Sequence, residues 1–193
     1  ILEEDGSGVQ LDRMAAEGGK SAVEVIFTNL HSGGKFNKDT GGAYDFSGGL
    51  HGVGVTVTNA LSEELKVEVK KGGRKYEMKF ADGNIVQDLI DVGRVNKSDT
   101  GTKVTARPRG TYFNNPLVNV EDLKNYIRVK SALLNNVEIV FQYKDEEPII
   151  WNYSSLKEYL VAESNKNNSN LTYWYYPDRE EDELEGTKAN ITD

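Results

Sequence analysis

The residues of this 193-residue chain whose types and spacing could do chemistry are concentrated between Ser32 and Gly54. Residues 32 to 49 hold six glycines and no apolar periodicity, a composition with too little buried surface to fix its own conformation. Glycines let successive backbone N–H groups turn toward one anion with no Cβ in the way. The stretch ends in "SGGLHGVG", which runs straight into a helix expected from about Gly52 to Ser62. Unpaired amides and the positive end of a helix dipole therefore converge where a phosphate would sit. The chemistry predicted is a flexible lid that wraps phosphates. Lys35, at the N-terminal edge of the lid, is placed to reach a terminal phosphate when the loop folds over, a reading favoured over that of a solvated loop lysine, common as those are.

Two other phosphate loops fail on context. A Walker A loop needs Ser or Thr after its lysine, and Lys35 is followed by Phe36. A dinucleotide fingerprint needs GxGxxG after an apolar strand, whereas Gly49, Gly52 and Gly54 run in the reverse spacing and follow a loop. His51 has only His31 for company and the chain has no cysteine, so packing or lid geometry suits it better than metal ligation.

The elements around the lid must position it. "ILEEDGSG" puts Leu2 and Glu4 on one strand face before Gly6 and Gly8 break the strand. "SAVEVIFTNL" spaces Val23, Ile26, Phe27 and Leu30 as one buried helical stripe. Beyond the second helix the period becomes two: Leu65, Val67 and Val69 alternate, Gly72-Gly73 turns a hairpin, and Tyr76, Met78 and Phe80 alternate again. Ile85 to Gly93 and Gly101 to Pro108 read as further strands. "VEDLKNYIRVKSALL" places Leu123, Tyr126, Ile127 and Leu134 on one helical face and leads to a strand in "VEIVFQY". Helices gathered on one face of a mixed, mostly antiparallel sheet make a two-layer α+β sandwich. The expected domain is 1–163. Residues 164–193 read as a polar linker ("ESNKNNSN") and an acidic tail (Asp178 to Gly186), with the strand-like "LTYWYYPD" as a candidate opening of another domain.

Composition excludes several classes. No run approaches the roughly 18 apolar residues of a membrane span. The absence of cysteine rules out disulfides and thiolate metal sites, and no basic segment with an apolar core opens the chain as a signal peptide would, so a cytoplasmic protein is expected. A formal net charge of −8 argues against a nucleic-acid surface, which is built largely from clustered Lys and Arg. Any DNA this protein serves would be touched by another domain or subunit.

"HSGGKF" followed by "SGGLHGVGVTVTNALS" resembles the ATPase (B-type) subunits of bacterial type II DNA topoisomerases, within the GHKL superfamily that also holds chaperone, mismatch-repair and histidine-kinase families. The resemblance runs from about Ile1 to Leu160 through "EDGSG", "TGTKV" and "VKSALL". The longer lid "NKDTGGAYDFSGG" and "TYFNNP" look more like topoisomerase IV than gyrase, and nothing resembles a kinase's phospho-acceptor domain. The resemblance implies ATP as ligand, with Mg²⁺. It assigns Glu4 as acceptor for the adenine amino group, Gly8 to the adenine loop, and Thr102 to the same end through an ordered water. Val9 and Ile26 would line the adenine pocket, and Tyr44 would reach the base from the lid. Lys35 would lie near the triphosphate, with the amides of Gly48, Gly49, Leu50, His51, Gly52, Val53 and Gly54 around the phosphate oxygens.

Three positions depart from the family: Glu4 stands for Asp, Ser7 for Arg and Gln10 for Pro. In the family, the glutamate general base and the asparagine ligand of magnesium lie upstream of the residue matching Ile1, so no catalytic or metal residue is assigned within this chain. The chain as written is expected to bind nucleotide poorly, to hydrolyse none and to be monomeric. The parent would dimerise on ATP binding and drive DNA strand passage with a DNA-cleaving partner subunit. The other readings are a nucleotide- or inhibitor-binding fragment without turnover, and the equivalent domain of gyrase.

Overall fold

The computed structural model describes residues 1–14, 18–30, 52–115, 117–134 and 137–167. They fall into two compact units, Ile1–Pro116 and Leu117–Asp193. The first unit holds strands β1 (Leu2–Glu4), β2 (Arg13–Met14) and β3 (Lys20–Ser21), then helices α1 (Ala22–Thr28) and α2 (Gly54–Ala60). Strands β4 (Ser62–Lys71), β5 (Arg74–Ala81), β6 (Asn84–Arg94) and β7 (Gly101–Pro108) follow. Five strands form one sheet in the order β1-β7-β4-β5-β6, and every described pairing in it is antiparallel.

Period-two alternation builds this sheet. Leu65, Val67 and Val69 of β4 and Met78 and Phe80 of β5 are buried, and with Val23 and Phe27 of α1 they form the core. Phe27 stacks on Phe80 with ring centroids 5.8 Å apart. Each such side chain contributes about 1.5–3 kcal/mol on burial. The intervening Lys66, Glu68 and Lys70 face the other way. Gly72 and Gly73, with φ of 62° and 79°, supply the two left-handed residues of a tight hairpin between β4 and β5.

Helix α1 begins where Ser21 caps it, its hydroxyl accepting from Glu24 N at 3.1 Å. The expected stripe through Leu30 is corrected: the helix ends at Thr28 and Asn29 is extended, so Leu30 lies outside it and is 58% exposed. Ala22 and Val25 are buried beside Val23 and Phe27 instead. Helix α2 is shorter than the expected 52–62. Gly52 is left-handed (φ 58°), and Ser62 is already in β4. The hairpin β2–β3 carried no sequence signal.

In the second unit, α3 (Val120–Ser131) is capped by Asn119, whose side chain accepts from Glu121 N and Asp122 N. Strands β8 (Ile139–Phe141) and β9 (Ile149–Trp151) pair antiparallel, and α4 (Leu156–Asn167) follows. Leu134 lies past the end of α3, and Leu123 and Tyr126 are exposed, so the anticipated apolar stripe is not what this unit buries. Ser131, Ala132 and Trp151 are buried. The expected boundary near 163 falls inside α4, which runs through residues read as linker. Arg128 pairs with Glu163 and Tyr159 packs edge-on against Tyr153. The strand-like and acidic segments after 170 lie outside the described residues.

Candidate functional site

The site begins where two glycine-flanked segments far apart in sequence meet. Strand β1 pairs with β7 so that Glu4 lies opposite Thr102, and Thr102 in turn lies opposite Val69 of β4. Val69 belongs to the core, so strand alternation assigns Glu4 and Thr102 to the helix-facing side and Glu3, Lys103 and Glu68 to the reverse. Gly101 (φ 132°) leaves no room for a side chain, since a Cβ there would stand 2.0 Å from the Glu4 carbonyl oxygen. Gly8 (φ 71°) is equally constrained: its Cβ would lie 2.9 Å from the Lys70 carbonyl oxygen and 3.2 Å from a Val69 methyl. These are positions where only glycine lets backbone approach backbone.

The loop after β1 is tied down from three directions. Val9 N donates to Thr102 Oγ1 at 3.1 Å, Thr100 Oγ1 to the Asp5 carbonyl at 3.3 Å, and Lys71 Nζ to the Gly8 carbonyl at 3.3 Å. Because its oxygen already accepts from Val9, the Thr102 hydroxyl has its proton to offer elsewhere. Glu4 is exposed, and its Oε2 accepts from Gly6 N at 2.6 Å. A carboxylate has about four acceptor positions, so this turn leaves Glu4 capacity for another donor.

On the helix side, Val9, Leu11 and Ile26 pack half-buried against the core. Helix α2 is fastened to α1 by two polar side chains. Thr56 Oγ1 donates toward the carbonyls of Ile26 (3.3 Å) and Asn29 (3.1 Å), at the C-terminal end of α1. Asn59, 1% exposed, donates to the Phe27 carbonyl at 3.0 Å and the Gly83 carbonyl at 3.4 Å. The N-terminus of α2 follows left-handed Gly52, and its N-cap Val53 makes no side-chain capping bond. The amides of its first turn thus have no side-chain acceptor from the cap.

Among the predicted residues, Glu4, Gly8, Val9 and Thr102 come together around one end of the sheet. Ile26 packs on the same core, and Gly52, Val53 and Gly54 open α2, the helix tied to α1. Lys35, Tyr44, Gly48, Gly49, Leu50 and His51 lie outside the described residues. Sequence reasoning missed Thr100, Gly101, Lys71, Thr56 and Asn59. Thr56 and Asn59 did leave a signal, being polar and one helical turn apart in "VTVTNA". Among the described residues no group of three or more His, Cys, Asp or Glu could hold a metal ion.

A depression of about 170 Å³ at this edge of the sheet is lined by Glu4 and Thr102 together with Glu3, Glu68, Lys70, Lys75 and Lys103 among others. The charges of the reverse face form an ion-pair lattice. Glu68 meets Lys75 at 2.6 Å and Lys66 at 3.0 Å, Glu3 meets Lys103 at 3.1 Å, and Lys70 meets Asp99 at 3.1 Å. Burial pushes the Glu68 carboxyl up, but hydrogen bonds from Lys75 and Lys66 outweigh it, and the group titrates below the usual carboxylate value. The Glu68 hydrogen bond in turn raises Lys66.

Comparison with known proteins gives this geometry a family. No protein-family model matches the chain. It is 41% identical over 160 residues to the B subunit of DNA topoisomerase 4 from Pseudomonas aeruginosa, covering 82% of this chain and 25% of that protein. It is 43% identical over 141 residues to the B subunit of DNA gyrase from Thermus thermophilus, covering 73% of this chain and 22% of that protein. A solved topoisomerase IV ATP-binding domain of Francisella tularensis, in complex with a small-molecule inhibitor, superposes with a TM-score of 0.69 at 33% identity, over 90% of this chain and 44% of that one. The chain belongs to the bacterial type II topoisomerase B-subunit family. It spans about a quarter of the length of the curated relatives named above. Its α+β sandwich, with a mostly antiparallel sheet, has the fold of the family's ATP-binding domains, and the expected layering of helix over sheet is seen in the α1 core. No described helix is long and apolar enough to cross a membrane.

Proposed function

We propose that this chain is the ATP-binding segment of a type II topoisomerase B subunit, of the topoisomerase IV kind, in a parent that uses ATP binding and hydrolysis to drive DNA strand passage. The observation that carries this is the convergence of the "EDGSG" loop on the start of β7, with Glu4 opposite Thr102 and Val9 N bonded to the Thr102 hydroxyl. It supplies what an adenine ring asks for. Glu4 would accept from the exocyclic amino group, Thr102 would donate toward the ring edge through a water, and Val9 with Ile26 would wall the base. Gly8 brings its backbone close to the strands beneath, where a Cβ would collide. The phosphates would lie toward the first turn of α2, with the amides from Gly48 to Gly54 around them, Lys35 near the last phosphate and Tyr44 over the base. Mg²⁺ would offset phosphate charge when bound with ATP. The DNA-cleaving partner and the DNA would be met by other parts of the parent, in the cytoplasm. The gyrase reading is favoured by one observation, the 43% identity to Thermus thermophilus gyrase B.

Calorimetric titration of this chain with a non-hydrolysable ATP analogue and with an aminocoumarin tests the site. Weak but saturable binding of the analogue, competed by the inhibitor, is the expected result, and binding of neither would sink the assignment. In the full-length parent, DNA-stimulated ATP hydrolysis with efficient decatenation is expected, whereas relaxation without decatenation would count against topoisomerase IV.

A further inference from the structure

Strand β1 lies in the run Ile1-Leu2-Glu3-Glu4, two apolar residues followed by two carboxylates. A strand's register is ordinarily set by which face its apolar residues must occupy, because a one-residue slip turns every side chain over. Here the slip would exchange Leu2 for Ile1 and Glu4 for Glu3, leaving the residue types on each face nearly unchanged. Burial does little to choose between the registers, since every residue of β1 is exposed and its described pairing is with β7 alone. Ion pairing chooses only weakly. Glu3 lies 3.1 Å from Lys103 and 3.8 Å from Lys70, exposed pairs that contribute little, and in the slipped register Glu4 would stand opposite Gly101, next to Lys70, with Leu2 opposite Lys103.

The loop that follows is what tells the registers apart. A slip would shift the chain by roughly 3.4 Å, beyond the reach of a hydrogen bond. It would break the bonds from Val9 to Thr102, from Thr100 to Asp5 and from Lys71 to Gly8, and lift buried Gly8 off the Lys70 carbonyl. Thr100 and Lys71 have no place in the ligand contacts described above, and both hold backbone carbonyls of the loop rather than anything a ligand would touch.

We propose that Thr100 and Lys71 are positioning residues that lock the register of β1, and so select Glu4 rather than Glu3 as the carboxylate presented beside Thr102 to the nucleotide base. This rests on the nucleotide reading given above. Neither residue touches the ligand; each acts by fixing the loop that fixes the strand.

The test uses the 193-residue chain with Thr100→Val, Lys71→Met and the two combined, and Lys71→Arg as the variant that keeps a donor. Cross-strand NMR contacts report whether Glu4 or Glu3 lies opposite Thr102. Titration with a non-hydrolysable ATP analogue, with Glu3→Gln and Glu4→Gln added in each background, reports which carboxylate binds. In the unaltered chain Glu4→Gln weakens binding and Glu3→Gln does not. In the combined variant the Glu4–Thr102 contact is expected to fade, a Glu3–Thr102 contact to appear, affinity to fall about tenfold, and Glu3→Gln to become the damaging change. Lys71→Arg stays within about twofold of the unaltered chain, as expected when the donated hydrogen bond survives. An unchanged Glu4–Thr102 contact with unchanged affinity overturns the proposal. So does a β1 that detaches without re-pairing, since the side chains would then hold the strand on rather than choose its register. If the combined variant does not fold, the single variants are judged by the same readouts. A chain that binds no nucleotide at all removes the nucleotide reading, while the NMR contacts still decide the register lock.

Discussion

Glu3 and Glu4 are consecutive carboxylates on one short strand, and they meet opposite environments. Glu3 is assigned to the reverse face, where Lys103 and Lys70 answer it within a lattice of alternating charges. Glu4 is assigned to the helix-facing side, opposite Thr102, with the buried Val69 of β4 next along the sheet. The reverse face neutralises its charges against one another, with exposed pairs that contribute little around a buried Glu68 shared by Lys66 and Lys75. The helix-facing side holds its carboxylate where a ligand can use it. The difference shows that in this sheet stability and binding share one face, and the other face pairs its charges with one another.

The largest expected effect strips the shared face. Phe80→Ala removes a fully buried ring stacked on Phe27 and is expected to destabilise the fold by about 3–5 kcal/mol, read by denaturant titration. A loss below ~1 kcal/mol would mean the core does not support the site. Next is Gly101→Ala, which forces a Cβ against the Glu4 carbonyl at a φ of 132°. It is expected to cost about 2–4 kcal/mol and to release amide protection across β1 and β7 in hydrogen exchange, and retained protection would refute the close approach. Glu4→Gln is then expected to weaken the ATP analogue by about tenfold, or 1.4 kcal/mol, with melting unchanged. Glu3→Gln should leave binding within about twofold, as befits an exposed ion pair. Equal effects from the two substitutions would erase the comparison.

The smallest effect concerns the reverse face and pH. Glu68 has a folded-state pKa below its ordinary 4.5. Its contribution is therefore fully present above that value and is lost as pH falls through the lower folded-state pKa. Stability measured between pH 6 and pH 2 should fall less steeply at the acid end in Glu68→Gln than in the unaltered chain. Superimposable curves would show that the lysines do not hold this carboxylate ionised.

Much of the sheet was legible because its signals are local. Alternation in β4, β5 and β7 follows from one face packing on α1 while the other meets water, and Gly72-Gly73 announces its own turn. The helix ends were read less well. Leu30 carries the right spacing for the α1 stripe, but spacing does not reveal that the backbone turns extended at Asn29. Glu163 to Asn167 look like linker by composition, yet they continue α4, and Glu163 there meets Arg128. Of the site, Glu4 and Thr102 were placed at the same end, while the clamps from Thr100 and Lys71 and the polar fastening of α2 by Thr56 and Asn59 were not foreseen.

The sequence by itself determined which residues could be apolar neighbours, where the glycine turns fall and which carboxylates were available, because these depend on residue type and on periods of two and 3.6. Which of two adjacent glutamates stands beside Thr102 was decided only by the tertiary structure. "ILEE" reads alike in either register, and the choice is made by a loop bonded to residues more than 60 positions away in the chain.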